Sequence, residues 1–169
     1  MKALIIVDMQ NDFITGSLGT KEAQEIVQNV KKKIEEYRKR DDQIIFTRDT
    51  HYKSYLNTLE GKKLPIEHCI YGTDGWQIID GLVSYNDIYI DKYSFGHTEW
   101  GESMWTYDSI ELVGVCTDIC VVSNALILKS EHPYIEITVD ASCCAGTTPE
   151  NHRAALQVMK SCQINVIGE

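Results

Sequence analysis

The sequence contains no long hydrophobic run, no Cys-x-x-Cys pair, no internal repeat and no low-complexity stretch, and basic residues are its minority charge. Each absence excludes something. Met1 to Gln10 combines one lysine, a short apolar run and then an aspartate, too brief for a secretory core or a membrane span. No membrane association is therefore expected, and the chain is read as soluble and cytoplasmic. Its 25 acidic and 16 basic residues give a net charge of −9, which disfavours a nucleic-acid partner because phosphate backbones attract clustered Lys and Arg. The basic cluster Lys31 to Lys33 shares its segment with Glu22, Glu25, Glu35 and Glu36 and reads as a solvated helix face. The six cysteines, at positions 69, 116, 120, 143, 144 and 162, lack the density of a secreted disulfide scaffold and are expected to be thiols. Cys116 and Cys120 are four apart with Asp118 between them, which is neither a zinc knuckle nor a redox pair.

What remains is a chain of 169 residues, 43% hydrophobic, able to bury one core, so residues 1–169 are read as a single domain. Short β-rich apolar runs alternate with amphipathic segments from end to end, the pattern of an α/β fold with a parallel sheet. The strand candidates are Ala3 to Val7, Gln43 to Thr47, Asp87 to Asp91, Ser109 to Val115, Tyr134 to Val139 and Ile164 to Ile167. Most are continuous in hydrophobicity, as strands covered on both faces should be. A helix is expected from Lys21 to about Arg40, where Ala23, Ile26, Val27, Val30, Ile34 and Tyr37 keep helical spacing and Thr20 can cap the start. Two more are expected, from about Asp118 to Lys129 and from Pro149 to about Ser161, with Pro149 suited to a first turn. Asp49 to Gly75 fits no regular element, and long irregular segments in compact domains are usually functional.

Open parallel sheets bind ligands beyond the carboxyl ends of their strands. The residues there are Asp8, Asp49 with His51, Lys92, and the turn from Cys116 to Cys120. Asp8, buried at a sheet edge, would have a pKa raised toward a proton-transfer range, or it caps a turn. If Thr117 caps the following helix, Cys120 sits in its first turn, where free N–H groups and the helix dipole favour a thiolate; otherwise it is a small buried hydrophobe, as Cys69, Cys143, Cys144 and Cys162 are taken to be. Lys92 is either a solvated stem or a charge beside that thiol. Asp49 and His51, one residue apart on a strand end, can point two ligands the same way, and His68 and Glu60 could complete a site of N and O donors.

Taken in order, these clusters resemble the isochorismatase-like cysteine hydrolases, and within them the nicotinamidases. The stretch Asp8-Met9-Gln10-Asn11-Asp12-Phe13 resembles their D-x-Q-x-D-F opening. Asp49-Thr50-His51 followed by Pro65-Ile66-Glu67-His68-Cys69-Ile70-Tyr71-Gly72-Thr73-Asp74-Gly75 resembles their metal motif, with one extra residue after the proline. Asp91 to Phe95 resembles the lysine motif, Gly114 to Val121 the nucleophile turn, and Glu150-Asn151-His152 the approach to the last helix. The resemblance spans essentially the whole chain. It implies a six-stranded, largely parallel, Rossmann-like sheet with helices on both faces. It also implies Cys120 as nucleophile, Asp8 as proton carrier and Lys92 as third member, with the backbone N–H groups of Cys116 and Cys120 around the oxyanion and a cis bond at Val115–Cys116. The implied cofactor is one divalent transition metal, Zn²⁺ first and Fe²⁺ or Mn²⁺ next, on Asp49, His51 and His68, with Glu60 replacing the histidine that relatives carry where Asn57 stands. The implied substrate is a small amide, nicotinamide or pyrazinamide, its ring stacked on Phe13 and on Phe95 or Trp100, and a homo-oligomer is compatible with the family. Two other readings stay open: a sibling amidase with another small substrate, and a non-catalytic metal or metabolite binder.

Overall fold

The protein is described over residues 1–169 by a computed structural model. Strands β1 (Lys2–Val7), β2 (Gln43–Asp49), β3 (Ile88–Lys92), β4 (Ser109–Val115), β5 (Glu136–Ala145) and β6 (Asn165–Ile167) form one sheet. Their order is β3-β2-β1-β4-β5-β6 and every pairing is parallel. This is the doubly wound order, whose direction reverses between β1 and β4, so the ligand crevice lies where those two strands end.

The hydrophobic pattern explains the layering. Along β1 the residues Ala3, Ile5 and Val7 join a core cluster on one face, and Leu4 and Ile6 join a second cluster on the other. The first cluster is covered by α5 (Val122–Glu131) and α6 (Pro149–Ser161) through Ala125, Leu128, Leu156 and Met159. The second is covered by α1 (Asn11–Ile14), α2 (Lys21–Glu25) and α3 (Val27–Lys39) through Ile14, Ala23, Val30, Ile34 and Tyr37. At the switch point β4 comes so close to β1 that a Cβ on Gly114 would lie 2.1 Å from the Val7 carbonyl oxygen. Glycine is required there, and its φ of +116° is one that glycine alone adopts freely. No helix is long and apolar enough to cross a membrane.

Several elements depart from the sequence reading. The helix expected over Lys21 to Arg40 loosens at Ile26 into α2 and α3; Ile26 keeps αR dihedrals of −80° and −15°, so the axis carries on and apolar periodicity cannot register the break. β2 and β3 each run to the charged residue that was placed beyond them, Asp49 and Lys92. β5 continues to Ala145 past a register shift opposite Leu112 to Gly114, where Asp140 and Ser142 interrupt the apolar run. The segment from Asp49 to Gly75 holds a short α4 (Leu59–Lys63), N-capped by the Thr58 side chain, which accepts from Gly61 N–H at 3.0 Å.

Candidate active site

The strand ends bring three charged residues together. Asp8 follows β1 directly, in the left-handed region at φ +50°, and Thr47 of the neighbouring strand donates its hydroxyl to Asp8 Oδ1 at 2.7 Å. Lys92 ends β3 in register with Asp49 at the end of β2. Its stem crosses β2, so that Nζ lies 2.7 Å from Asp8 Oδ2, 3.2 Å from Asp49 Oδ1 and 3.5 Å from Cys120 Sγ. Nζ also donates to the Ser94 carbonyl at 3.2 Å. Asp8 Oδ2 is buried and accepts no well-aligned hydrogen bond, its contact with Lys92 being an ion pair of poor angle. Lys92 Nζ thus stands between this carboxylate and the Cys120 thiol.

Burial governs the protonation of all three. It pushes the Cys120 thiol well above its ordinary value, and the nearby Lys92 charge offsets only part of this while Asp8 adds to it. Burial likewise raises Asp8 against the lowering by Lys92. For Lys92 burial works toward the neutral amine, but the carboxylates of Asp8 and Asp49 beside it outweigh burial and hold the ammonium. The resting cysteine is thus a thiol beside a carboxylate with heightened proton affinity. Burial therefore works against the thiolate that a helix start would favour. The helix start differs too: Thr117–Val121 is a π turn capped by Cys116, Thr117 is not the cap, and its hydroxyl pairs with His152 Nδ1 at 2.8 Å.

Asp49, His51, Glu60 and His68 converge from β2, the loop after it, α4 and the loop beyond, with one donor atom from each lying within 4.8 Å of all the others. Asp49 Oδ2 is 2.9 Å from His51 Nε2 and 3.6 Å from His68 Nε2; Glu60 Oε1 is 3.7 Å and 3.8 Å from the same two nitrogens. His68 Nδ1 lies 2.8 Å from the Ile66 carbonyl, which can only accept, so the proton is on Nδ1 and Nε2 offers a lone pair to the cluster. His51 Nε2 is buried with no aligned partner. An orphaned imidazole nitrogen, a second oriented one and two carboxylates make a donor set that fits a divalent transition metal. Asn57, where relatives carry a histidine, ends a separate turn at Tyr55–Asn57 and is exposed.

A cavity of about 560 Å³ opens over both groups, with Cys116, Cys120, Asp49 and His68 in its lining. Phe13, tilted against the His68 ring at 5.6 Å, and Phe95 stand on its walls. Trp100 does not. It is buried at 4% exposure in the core, edge-on to His97. Sequence reasoning missed Tyr93 and Ile119 in the lining, and nothing in their local pattern marks them. It also passed over Gln10, which is fully buried. Its amide accepts from Asp49 N–H at 2.7 Å and donates to the carbonyls of Asp49 and Trp76 at 2.9 and 2.8 Å, which fixes the Asp49 backbone. The Val115–Cys116 peptide is cis.

A doubly wound sheet with thiol, carboxylate and ammonium in contact at its switch point is an arrangement suited to covalent hydrolysis. The chain belongs to the isochorismatase family, whose domain model matches residues 2–168. It is 24% identical to a nicotinamidase of Saccharomyces cerevisiae, over 99% of each chain. It is 31% identical to a protein of Arabidopsis thaliana described as a probable inactive nicotinamidase, over 94% of this chain and 88% of the other. A pyrazinamidase of Pyrococcus horikoshii, solved in complex with zinc, has the same fold, with a TM-score of 0.87 at 24% identity over 99% of each chain.

Proposed function

We propose that the protein is a nicotinamidase, hydrolysing nicotinamide, and pyrazinamide with it, to the carboxylate and ammonia. The observation that carries this reading is Lys92 in contact with both Asp8 and Cys120, beside a cavity lined by Cys120 and by three of the four N and O donors, Asp49, Glu60 and His68. Asp8 takes the thiol proton through Oδ2 as sulfur bonds to the carboxamide carbon, and Lys92 stays charged to offset the anion. The carbonyl oxygen, now negative, lies toward the N–H groups of Cys116 and Cys120; that of Cys116 is given to no backbone carbonyl. Asp8 passes its proton to nitrogen, the C–N bond breaks and ammonia leaves. Asp8 then takes a proton from water, whose oxygen attacks the thioester, and the sulfur departs to recover its proton. Asp49, His51, His68 and Glu60 would hold the divalent ion, Zn²⁺ ahead of Fe²⁺ or Mn²⁺, which when bound supplies a Lewis-acidic position for a ring nitrogen. Phe13 and Phe95 flank the ring.

The purified protein should release ammonia from nicotinamide and from pyrazinamide. Benzamide keeps ring and amide but has no ring nitrogen to be ligated, so its kcat/KM should be lower by on the order of 10²-fold. Equal values for benzamide and nicotinamide would move the reading to a sibling amidase. The description of the Arabidopsis relative raises the reading of a non-catalytic binder; the intact contacts of Asp8, Lys92 and Cys120 oppose it, and absence of turnover on all three amides would establish it.

Elemental analysis should find about one divalent transition metal per chain, the stoichiometry of a single site. His51→Ala, which removes the buried unpartnered nitrogen, should lose it. Glu60 is the most exposed donor, 27% by its side chain, so Glu60→Ala should weaken retention during dialysis without abolishing it; undiminished retention would take Glu60 out of the ligand set.

A further inference from the structure

Asn124 lies in the apolar stretch Val121 to Leu128, yet it is fully buried. An amide in a helix interior is neutral to unfavourable for the helix itself, and a buried one without partners is costly. Here its capacities are shared between two segments. Nδ2 donates to the Cys120 carbonyl at 2.8 Å and to the Phe95 carbonyl at 3.3 Å, and Oδ1 accepts from the His97 N–H at 2.9 Å. One side chain therefore joins the π turn that presents the thiol to the loop that follows Lys92.

Both partners need such a tie. In the π turn the N–H groups of Ile119 and Val121 both go to the Cys116 carbonyl, and that of Val122 reaches back to Thr117. Such geometry is poorer than an α-helix and persists where side chains hold it. The loop carries the Ser94 carbonyl that accepts from Lys92 Nζ and the Phe95 ring on the cavity wall. It is pressed onto α5 at Gly96, where a Cβ would come 2.4 Å from Ile127 Cδ1. An apolar residue at 124 would fill the space but would leave the His97 N–H unpaired and the two segments free to shift against each other.

We infer that Asn124 is a positioning residue that sets Cys120 against Lys92 and the cavity wall by tying the nucleophile turn to the loop of residues 94–97. The inference rests on Cys120 being the nucleophile. It is tested by the rate of Cys120 alkylation by iodoacetamide, mapped by mass spectrometry, alongside kcat for nicotinamide, both well below Tm. Asn124→Ala should slow alkylation and lower kcat together by about 10-fold or more, the scale of a misplaced reacting group. Asn124→Ser keeps a hydroxyl for the Cys120 carbonyl and loses the loop, so it should also be slowed, and it serves if the alanine variant does not fold. Leu128→Ala, a core truncation on the same helix with a comparable loss of Tm, should leave both rates within about 2-fold because it acts on stability alone. Wild-type alkylation in either Asn124 variant, or equal slowing in Leu128→Ala, overturns the inference alone. Turnover retained in Cys120→Ala overturns the nucleophile assignment and the inference with it.

Discussion

Cys120→Ala should abolish ammonia release, by on the order of 10⁴-fold or more as when a covalent nucleophile is removed, while Cys116→Ala should stay within a few fold of wild type. The two cysteines line one cavity but have different parts to play. The Cys120 sulfur lies 3.5 Å from Lys92 Nζ, which is itself paired with the Asp8 carboxylate, so the base that would receive a thiol proton stands beside Cys120. The Cys116 thiol is pushed up to about 12 by burial, with Asp118 and Asp8 adding to the rise, and its expected contribution is a backbone N–H that alanine retains. Both substitutions remove a single sulfur, so fold and metal content should survive and the contrast should be chemical. The check is turnover of each variant together with mass spectrometry of an acylated wild-type chain trapped with substrate. An active Cys120→Ala beside an inactive Cys116→Ala would reverse the assignment.

Lys92→Met should destroy activity and cost stability as well, because the ammonium is the only cation among two buried carboxylates and a thiol. Removing one partner of such a group typically costs about 3–5 kcal/mol, which in a domain of this size lowers Tm by on the order of 10 °C. The loss should depend on pH. Burial already raises the Asp8 pKa, and without Lys92 only the Thr47 hydroxyl bond still works against it, so the folded chain binds that proton more tightly than the unfolded one. Stability then falls as pH rises through the folded-state pKa, so in metal-free protein the deficit should be smaller at about pH 5.5 than at about pH 8. Adding Asp8→Asn to Lys92→Met removes one anion with the cation and should recover much of the Tm but none of the activity. A deficit that is the same at both pH values would mean that Asp8 is not the group left uncompensated. Within the same unit, Asp8→Asn combined with Cys120→Ala should be hardly worse than Cys120→Ala alone.

The elements and their sequence were legible because they depend on local patterns. The unbroken apolar runs at Ala3 to Val7 and Ser109 to Val115, the helical spacing of Val30, Ile34 and Tyr37, and the Thr20 and Pro149 helix starts each lie within one turn or one strand. The same locality placed Asp8, Asp49, Lys92 and the Cys116 to Cys120 turn at strand ends. In a parallel sheet the end of a strand is the active edge whatever the order of the strands.

Only the tertiary structure decided what those residues do to one another. The order β3-β2-β1-β4 puts Asp8, Asp49 and Lys92 on adjacent strand ends and brings the β4 turn beside them, and no spacing along the chain encodes a contact between residues 8 and 92. Protonation went the same way: helix position alone favours a thiolate at Cys120, but complete burial beside a carboxylate outweighs it. Trp100 and Phe95 are equally aromatic in the sequence, and the tertiary packing puts one in the core and the other on the cavity wall. Gln10 and Asn124 hold the site through backbone groups far from them in the chain. Local pattern determines which face of an element is apolar and where it ends; which buried polar groups meet is set by the order in which the strands pack.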